Sequence, residues 1–68
     1  MVKDVIVKIE IITSIGHKLL EDGFDFDEVN CIQTGVNAVR YVLFKGGNLV
    51  TTIHESVPVV VYYERKEL

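Results

Sequence analysis

Apolar residues recur at alternate positions along the first part of the chain. From Val5 to Ile11 every second position is Val or Ile, and Lys8 lies between two of them. This period is typical of a half-buried strand, and β-branched side chains favour strands. We therefore predict a strand over residues 4–12. The same apolar residues also satisfy a helical stripe, so one continuous helix over about residues 3–22 is the alternative.

A short helix is predicted to follow the first strand. Ser14 is a residue type typical of helix N-caps, and Gly23 can adopt the left-handed conformation that ends many helices. Ile15 and Leu19 have the spacing of residues that share one helical face. The pattern predicts a helix over about residues 14–22, which is too short to be stable alone and must pack on a sheet.

The second half of the chain has the pattern of a β-meander. Gly46-Gly47 separates two apolar runs and indicates a two-residue hairpin loop. With that loop, Phe44 is expected opposite Leu49, and Arg40 opposite Ile53. The strands predicted in this half are 28–33, 38–45, 48–54 and 58–64.

Together these elements predict an α+β fold in a single domain of residues 1–68. The predicted order is β-α-β-β-β-β, with one short helix packed on a mostly antiparallel four- to five-stranded sheet. Both faces of that sheet would carry large apolar side chains, and the helix would cover only part of one face. We therefore predict a homo-oligomer, most simply a dimer, in which another subunit covers the remaining face.

The composition supports self-association. Hydrophobic residues make up 49% of the chain, a large share for 68 residues. By area scaling, hydrophobic burial and the cost of ordering so short a chain nearly cancel, which makes a solitary monomer marginal. The single cysteine, Cys31, excludes an intrachain disulfide, and the Cys and His spacing of a zinc site is missing. Cys31 itself is expected to be a small buried hydrophobe.

Charge and hydrophobic runs narrow the classes of partner. The formal net charge of −3 and the pI near 5.2 argue against nucleic acid, because affinity for phosphate comes from clustered Lys and Arg. No apolar run has the length of a membrane span, and no signal peptide is recognised. With its single thiol, the chain is predicted to be cytoplasmic, without membrane contact. No glycine-rich phosphate-binding motif occurs, so no cofactor is predicted.

The densest charge is an acidic cluster in residues 21–28. Asp22, Asp25, Asp27 and Glu28 are the residues expected to contact a basic protein partner. Their order relative to glycine does not match a calcium-binding loop, so no metal site is predicted. The simpler interpretation is a solvated turn between the helix and the next strand.

The second candidate site is a ligand pocket between subunits. Tyr41, His54 and Tyr62 are the residues expected to line it. Glu55 and Ser56 follow His54 and complete the residue types of a nucleophilic triad, but neighbouring strand residues point to opposite faces. We therefore predict no catalytic residues.

The predicted function is that of a small non-enzymatic interaction module. It would be a homo-oligomer that binds a protein partner, as accessory and inhibitor proteins do. The prediction rests on the small size, the acidity and the lack of a recognised catalytic set, and fold alone does not decide it. Two alternatives stay open: an oligomeric small-molecule-binding protein with pockets between subunits, and a minimal nucleic-acid-binding protein.

Overall fold

The structure is a computed structural model that describes residues 1–67, and every regular element in them is a β-strand. The strands are β1 (Val2–Thr13), β2 (Gly16–Glu21), β3 (Glu28–Gly35), β4 (Ala38–Lys45), β5 (Asn48–Ile53) and β6 (Val59–Glu67). They form two antiparallel three-stranded sheets, with order β2-β1-β6 in the first and β3-β4-β5 in the second. The predicted α+β class is therefore wrong, and the fold is all-β.

A β-hairpin replaces the predicted helix at residues 14–22. β2 pairs antiparallel with the second half of β1, and Leu20 lies opposite Ile9. Both side chains are buried, so strand pairing gives Leu20 a position in the core. The alternative of one helix over residues 3–22 is also wrong. The predicted strand over residues 4–12 is confirmed, since it lies within β1.

A β-bulge sets the register of the hairpin between β4 and β5. Phe44 lies opposite Leu49, as predicted, and both glycines of the loop have positive φ. Beyond this pair the register shifts, so Ile53 lies opposite Tyr41 and not opposite Arg40. A shift of one residue moves a side chain to the other face of a sheet, and here it places Ile53 in the core.

The last strand returns to the first sheet. β6 pairs with β1 along Val2–Ile11, so it does not continue the meander next to β5 as predicted. Where the chain crosses between the sheets, the backbone N–H of Ile12 donates to the Pro58 carbonyl at 3.0 Å. Two sheets of three strands thus replace the predicted sheet of four to five.

The core lies between the two sheets. Both sheets contribute buried side chains, and Phe26 enters from the connection between β2 and β3. Partly buried residues of both sheets, among them Ile6, Tyr41 and Val61, pack around this centre. Each sheet covers the inner face of the other, which is the role predicted for the helix. The buried side chains are Ile9, Leu20, Phe26, Leu43 and Ile53.

Candidate functional site

A groove of about 430 Å³ lies between the first half of β1 and the strand β3. β1 contributes residues 3–6, and β3 is an edge strand of the second sheet. The groove therefore follows the place where the two sheets are not joined. Its other lining side chains are Val29 and Cys31 from β3, Tyr63 from β6, and Asp22, Phe26 and Asp27 from the connection between β2 and β3.

The first half of β1 has a free edge at this groove. β1 pairs with β6 from Val2 onward, but with β2 only from Lys8 onward. The backbone N–H of Asp22 donates to the Val7 carbonyl at 3.0 Å, where the chain leaves β2. Within the described part of the chain, residues 3–6 thus have backbone N–H and C=O groups that no strand pairs with on this side.

Two of the predicted partner-binding carboxylates hold the acidic turn together. One oxygen of Asp27 accepts from the backbone N–H of Gly46 at 2.9 Å, and one oxygen of Asp25 accepts from the backbone N–H of Glu21 at 2.8 Å. The ammonium group of Lys45 donates to two carbonyls of the same turn, at 2.8 and 3.2 Å. The turn is therefore an ordered loop fixed to the β4–β5 hairpin.

The structure brings together only part of the predicted partner-binding set. Asp22 and Asp27 line the groove, whereas Asp25 and Glu28 do not. Glu28 begins β3 and pairs with Phe44 of β4. The partner contact itself remains a prediction, which now applies best to Asp22 and Asp27.

None of the three predicted ligand-binding residues lines the groove. Tyr41 lies in the middle strand of the second sheet and packs against the core. Tyr62 lies on β6, where its hydroxyl donates to Glu10 at 3.4 Å. His54 lies in the turn after β5. All three lie outside the groove, and a pocket between subunits that they would line remains a prediction.

Sequence reasoning missed Tyr63 and misjudged Cys31. Tyr63 lies next to Tyr62 in the chain, and only the bulge in β1 decides which of them lines the groove. Cys31 was expected to be buried, but it is exposed on the edge strand. Partial burial of its sulfur nevertheless raises the pKa of the thiol. Desolvation, and then the proximity of Tyr63 and Cys31, raise the pKa of Tyr41.

The groove combines an apolar floor with a negative rim. The lining contains three carboxylates and one cation, a formal net charge of −2. The carboxylates are those of Asp4, Asp22 and Asp27, and the cation is Lys3. Arg65 lies 3.4 Å from Asp4 and offsets part of this charge. In residues 1–67 no group of three His, Cys, Asp or Glu side chains is placed to hold a metal ion. The arrangement suits a ligand with an apolar body and a positive charge.

No helix of residues 1–67 has the length and apolar character needed to cross a membrane. Protein-family models, curated proteins and solved structures include none that matches this chain.

Proposed function

We propose that the protein is an interaction module that binds an extended segment of a protein partner in this groove. The partner segment adds as a strand to the free edge of residues 3–6 in β1. The observation that carries the proposal is the coincidence of that free edge with an apolar groove. Strand addition uses main-chain hydrogen bonds for affinity and side-chain pockets for specificity.

The chemistry of the partner segment follows from the lining. Side chains of an added strand alternate between two faces, so every second one enters the groove towards Phe26, Val29 and Tyr63. Those residues favour apolar partner side chains. Asp4 lies two residues before Ile6 with no bulge between them, so its carboxylate is on the groove side of β1. Together with Asp22 it favours lysine or arginine at a groove-facing position. We therefore expect a segment whose groove-facing positions are apolar in the middle and basic beside these carboxylates.

A pair of short peptides tests this chemistry. One has Val at its middle groove-facing positions and Lys at the terminal groove-facing ones, and the other has Glu in place of Lys. We expect the lysine peptide to bind at least about tenfold more tightly by calorimetric titration, with affinity that falls as salt is added. Hydrogen exchange of the backbone amides of residues 3–6 should slow when it binds. Equal affinities, or binding without that protection, would contradict the proposal.

Two neighbouring tyrosines provide a matched pair of variants. Tyr63→Ala removes a groove side chain, and Tyr62→Ala removes a side chain that does not line the groove. Only Tyr63→Ala should weaken peptide binding. Asp22→Asn is the better test of the rim, because Asp25 and Asp27 also hold the acidic turn in place.

We also propose that the protein is a homo-oligomer, most simply a dimer. The groove leaves the outer faces of both sheets free for this contact. Self-association and partner binding therefore involve different surfaces and can be tested separately.

Binding of a small molecule is the second candidate function. The groove volume of about 430 Å³ lies within the range of small-molecule sites, roughly 300–1,000 Å³. An apolar amine would satisfy the same lining. Binding of such an amine that the lysine peptide does not displace would favour this function.

A further inference from the structure

The turn between β5 and β6 brings three polar side chains into contact. β5 ends at Ile53, and the backbone N–H of Val57 donates to the His54 carbonyl at 3.0 Å, which closes a tight turn. Glu55 and Ser56 lie inside this turn. The alternation of side chains along a strand does not apply there, so the argument from sequence against a His, Glu and Ser cluster fails.

His54 contacts both of its neighbours through its two ring nitrogens. Nδ1 lies 2.8 Å from Oγ of Ser56, and Nε2 lies 3.2 Å from Oε1 of Glu55. The backbone N–H of Ser56 also points to Nδ1, at 3.1 Å. A backbone N–H can only donate, so this pattern assigns Nδ1 as the acceptor and places the ring proton on Nε2, facing Glu55.

Arg40 holds the carboxylate of Glu55 in place beside His54. Its Nε and Nη2 donate to the two oxygens of Glu55, at 3.0 and 3.2 Å. The hydrogen bonds from Arg40 lower the pKa of Glu55, so the carboxylate stays ionised beside the imidazole. The carboxylate beside Nε2 holds the neutral imidazole in the tautomer whose Nδ1 can accept the serine proton.

From this geometry we propose that Ser56 is a nucleophile that accepts an acyl group from small activated acyl donors, of the aryl ester or thioester class. His54 acts as the base, and Glu55 and Arg40 are positioning residues. The acylated serine is a modification formed once per chain. This inference is independent of the groove, because none of these four residues lines it.

The transfer from an aryl ester balances as follows. Oγ of Ser56 forms a bond to the acyl carbon while its proton passes to Nδ1 of His54. The bond between the acyl carbon and the aryl oxygen then breaks, and the protonated imidazole returns the proton to the departing phenolate. The products are one serine ester and one phenol. Ser56 is exposed, so the donor reaches it directly from solvent.

The chain contains its own control, because it has only one other serine. Ser14 is also exposed and lies in the turn between β1 and β2, with no histidine bonded to it in the described residues. The intact protein would be treated with p-nitrophenyl acetate and digested, and acetylation of each peptide measured by mass spectrometry. We expect Ser56 to react about 100-fold faster than Ser14, which is the lower end of what a positioned general base contributes. Acetyl groups on Cys31 and the lysines are counted separately by peptide.

Two variants separate basicity from a turn-stabilising role. His54→Asn removes the base but keeps a side-chain oxygen that can accept the Ser56 N–H, as in an Asx turn. It should reduce acetylation of Ser56 to the rate of Ser14 while leaving the melting temperature nearly unchanged. Glu55→Gln should cause a smaller loss, seen only at Ser56. Equal rates for the two serines in the unaltered protein, or an unchanged Ser56 rate in both variants, would overturn the proposal.

Discussion

At the scale of single residues, the contact between Arg40 and Glu55 links stability to pH. The hydrogen bonds from Arg40 are the main cause that lowers the pKa of Glu55 below its ordinary value of 4.5. In the unfolded chain the carboxyl regains that ordinary value. A carboxyl with a lowered pKa in the folded state stabilises the fold above the unfolded pKa, and this contribution disappears as pH falls through the folded pKa.

We therefore predict that Glu55→Gln lowers the melting temperature at about pH 6 and that the difference from the unaltered protein shrinks towards about pH 3. Thermal unfolding followed by circular dichroism at several pH values measures this. In an Arg40→Gln background the same substitution should have an effect that depends much less on pH. A pH-dependent difference that persists without Arg40 would assign the effect to another group.

Two β-bulges, each with one unpaired residue, explain much of the strand register that could not be predicted from sequence. The hairpin loop was predicted from its two glycines, and the pair Phe44–Leu49 follows from it. No sequence pattern comparable to the two glycines indicates the bulge at Val50. The bulge turns Ile53 towards the core, and this is favourable only because the other sheet covers that face. The bulge at Val7 likewise decides that Tyr63 and not Tyr62 lines the groove. Bulges of this kind depend on tertiary packing.

At the scale of elements, the connection between β2 and β3 is held from inside by Phe26. Its side chain is 1% exposed and belongs to the core, whereas Phe24 of the same connection is 76% exposed. We predict that Phe26→Ala costs about 3–5 kcal/mol of unfolding free energy, because it leaves a cavity between the sheets. Phe24→Ala should change stability by less than about 0.5 kcal/mol. Urea unfolding measures both.

The total stability of a domain is only about 5–15 kcal/mol, so the loss expected for Phe26→Ala is a large part of it, and a milder substitution is needed beside it. Phe26→Leu keeps most of the volume and should cost about 1 kcal/mol, which keeps the comparison quantitative. Similar losses at positions 24 and 26 would mean that the connection does not enter the core as described.

The predicted helix failed because pairing with β1 overrides local preference in β2. The segment Gly16–Glu21 contains no β-branched residue, so nothing in its composition favours a strand. Leu20 becomes buried only when it lies opposite Ile9. The first strand was predictable because its own residues favour β structure, whereas β2 is a strand by virtue of its partner.

The negative charge was the one feature of the groove that could be predicted from the sequence. Asp22 and Asp27 stand out in the sequence as part of an acidic cluster. The groove itself exists because β2 is half the length of β1, with 6 residues against 12, and leaves the first half of β1 without a strand on that side. That difference in length follows from the hairpin, which the predicted helix excluded.

At the scale of the whole molecule, the chain exposes more surface than a solitary domain of its mass. Its accessible surface is 4910 Å², against about 4,300 Å² from the scaling of monomeric proteins. Its radius of gyration is 12.3 Å, against about 11 Å for a compact domain of this length. The surplus of roughly 600 Å² approaches the ~800 Å² that each partner buries in a standard interface.

The outer faces of the two sheets differ most at their middle strands. On the first sheet, the middle strand β1 places Glu10 on the outer face, opposite the exposed Leu19. On the second sheet, Phe44 and Leu49 form a cross-strand pair on the face opposite the buried Leu43. Apolar faces of two sheets pack stably against each other at about 10 Å. We therefore propose the outer face of the second sheet as the surface that a second copy covers.

Mass by light scattering over a range of concentrations tests this arrangement. We expect the dimer to dominate at high concentration and Leu49→Lys to raise its dissociation constant at least about tenfold, because the dimer would bury two unpaired ammonium groups. Leu19→Lys is the matched control, since Leu19 is a similarly exposed leucine of the first sheet, opposite Glu10. It should leave the dissociation constant unchanged. The second sheet would not be the interface if the protein stayed monomeric at every concentration. The same conclusion would follow if both substitutions raised the dissociation constant equally.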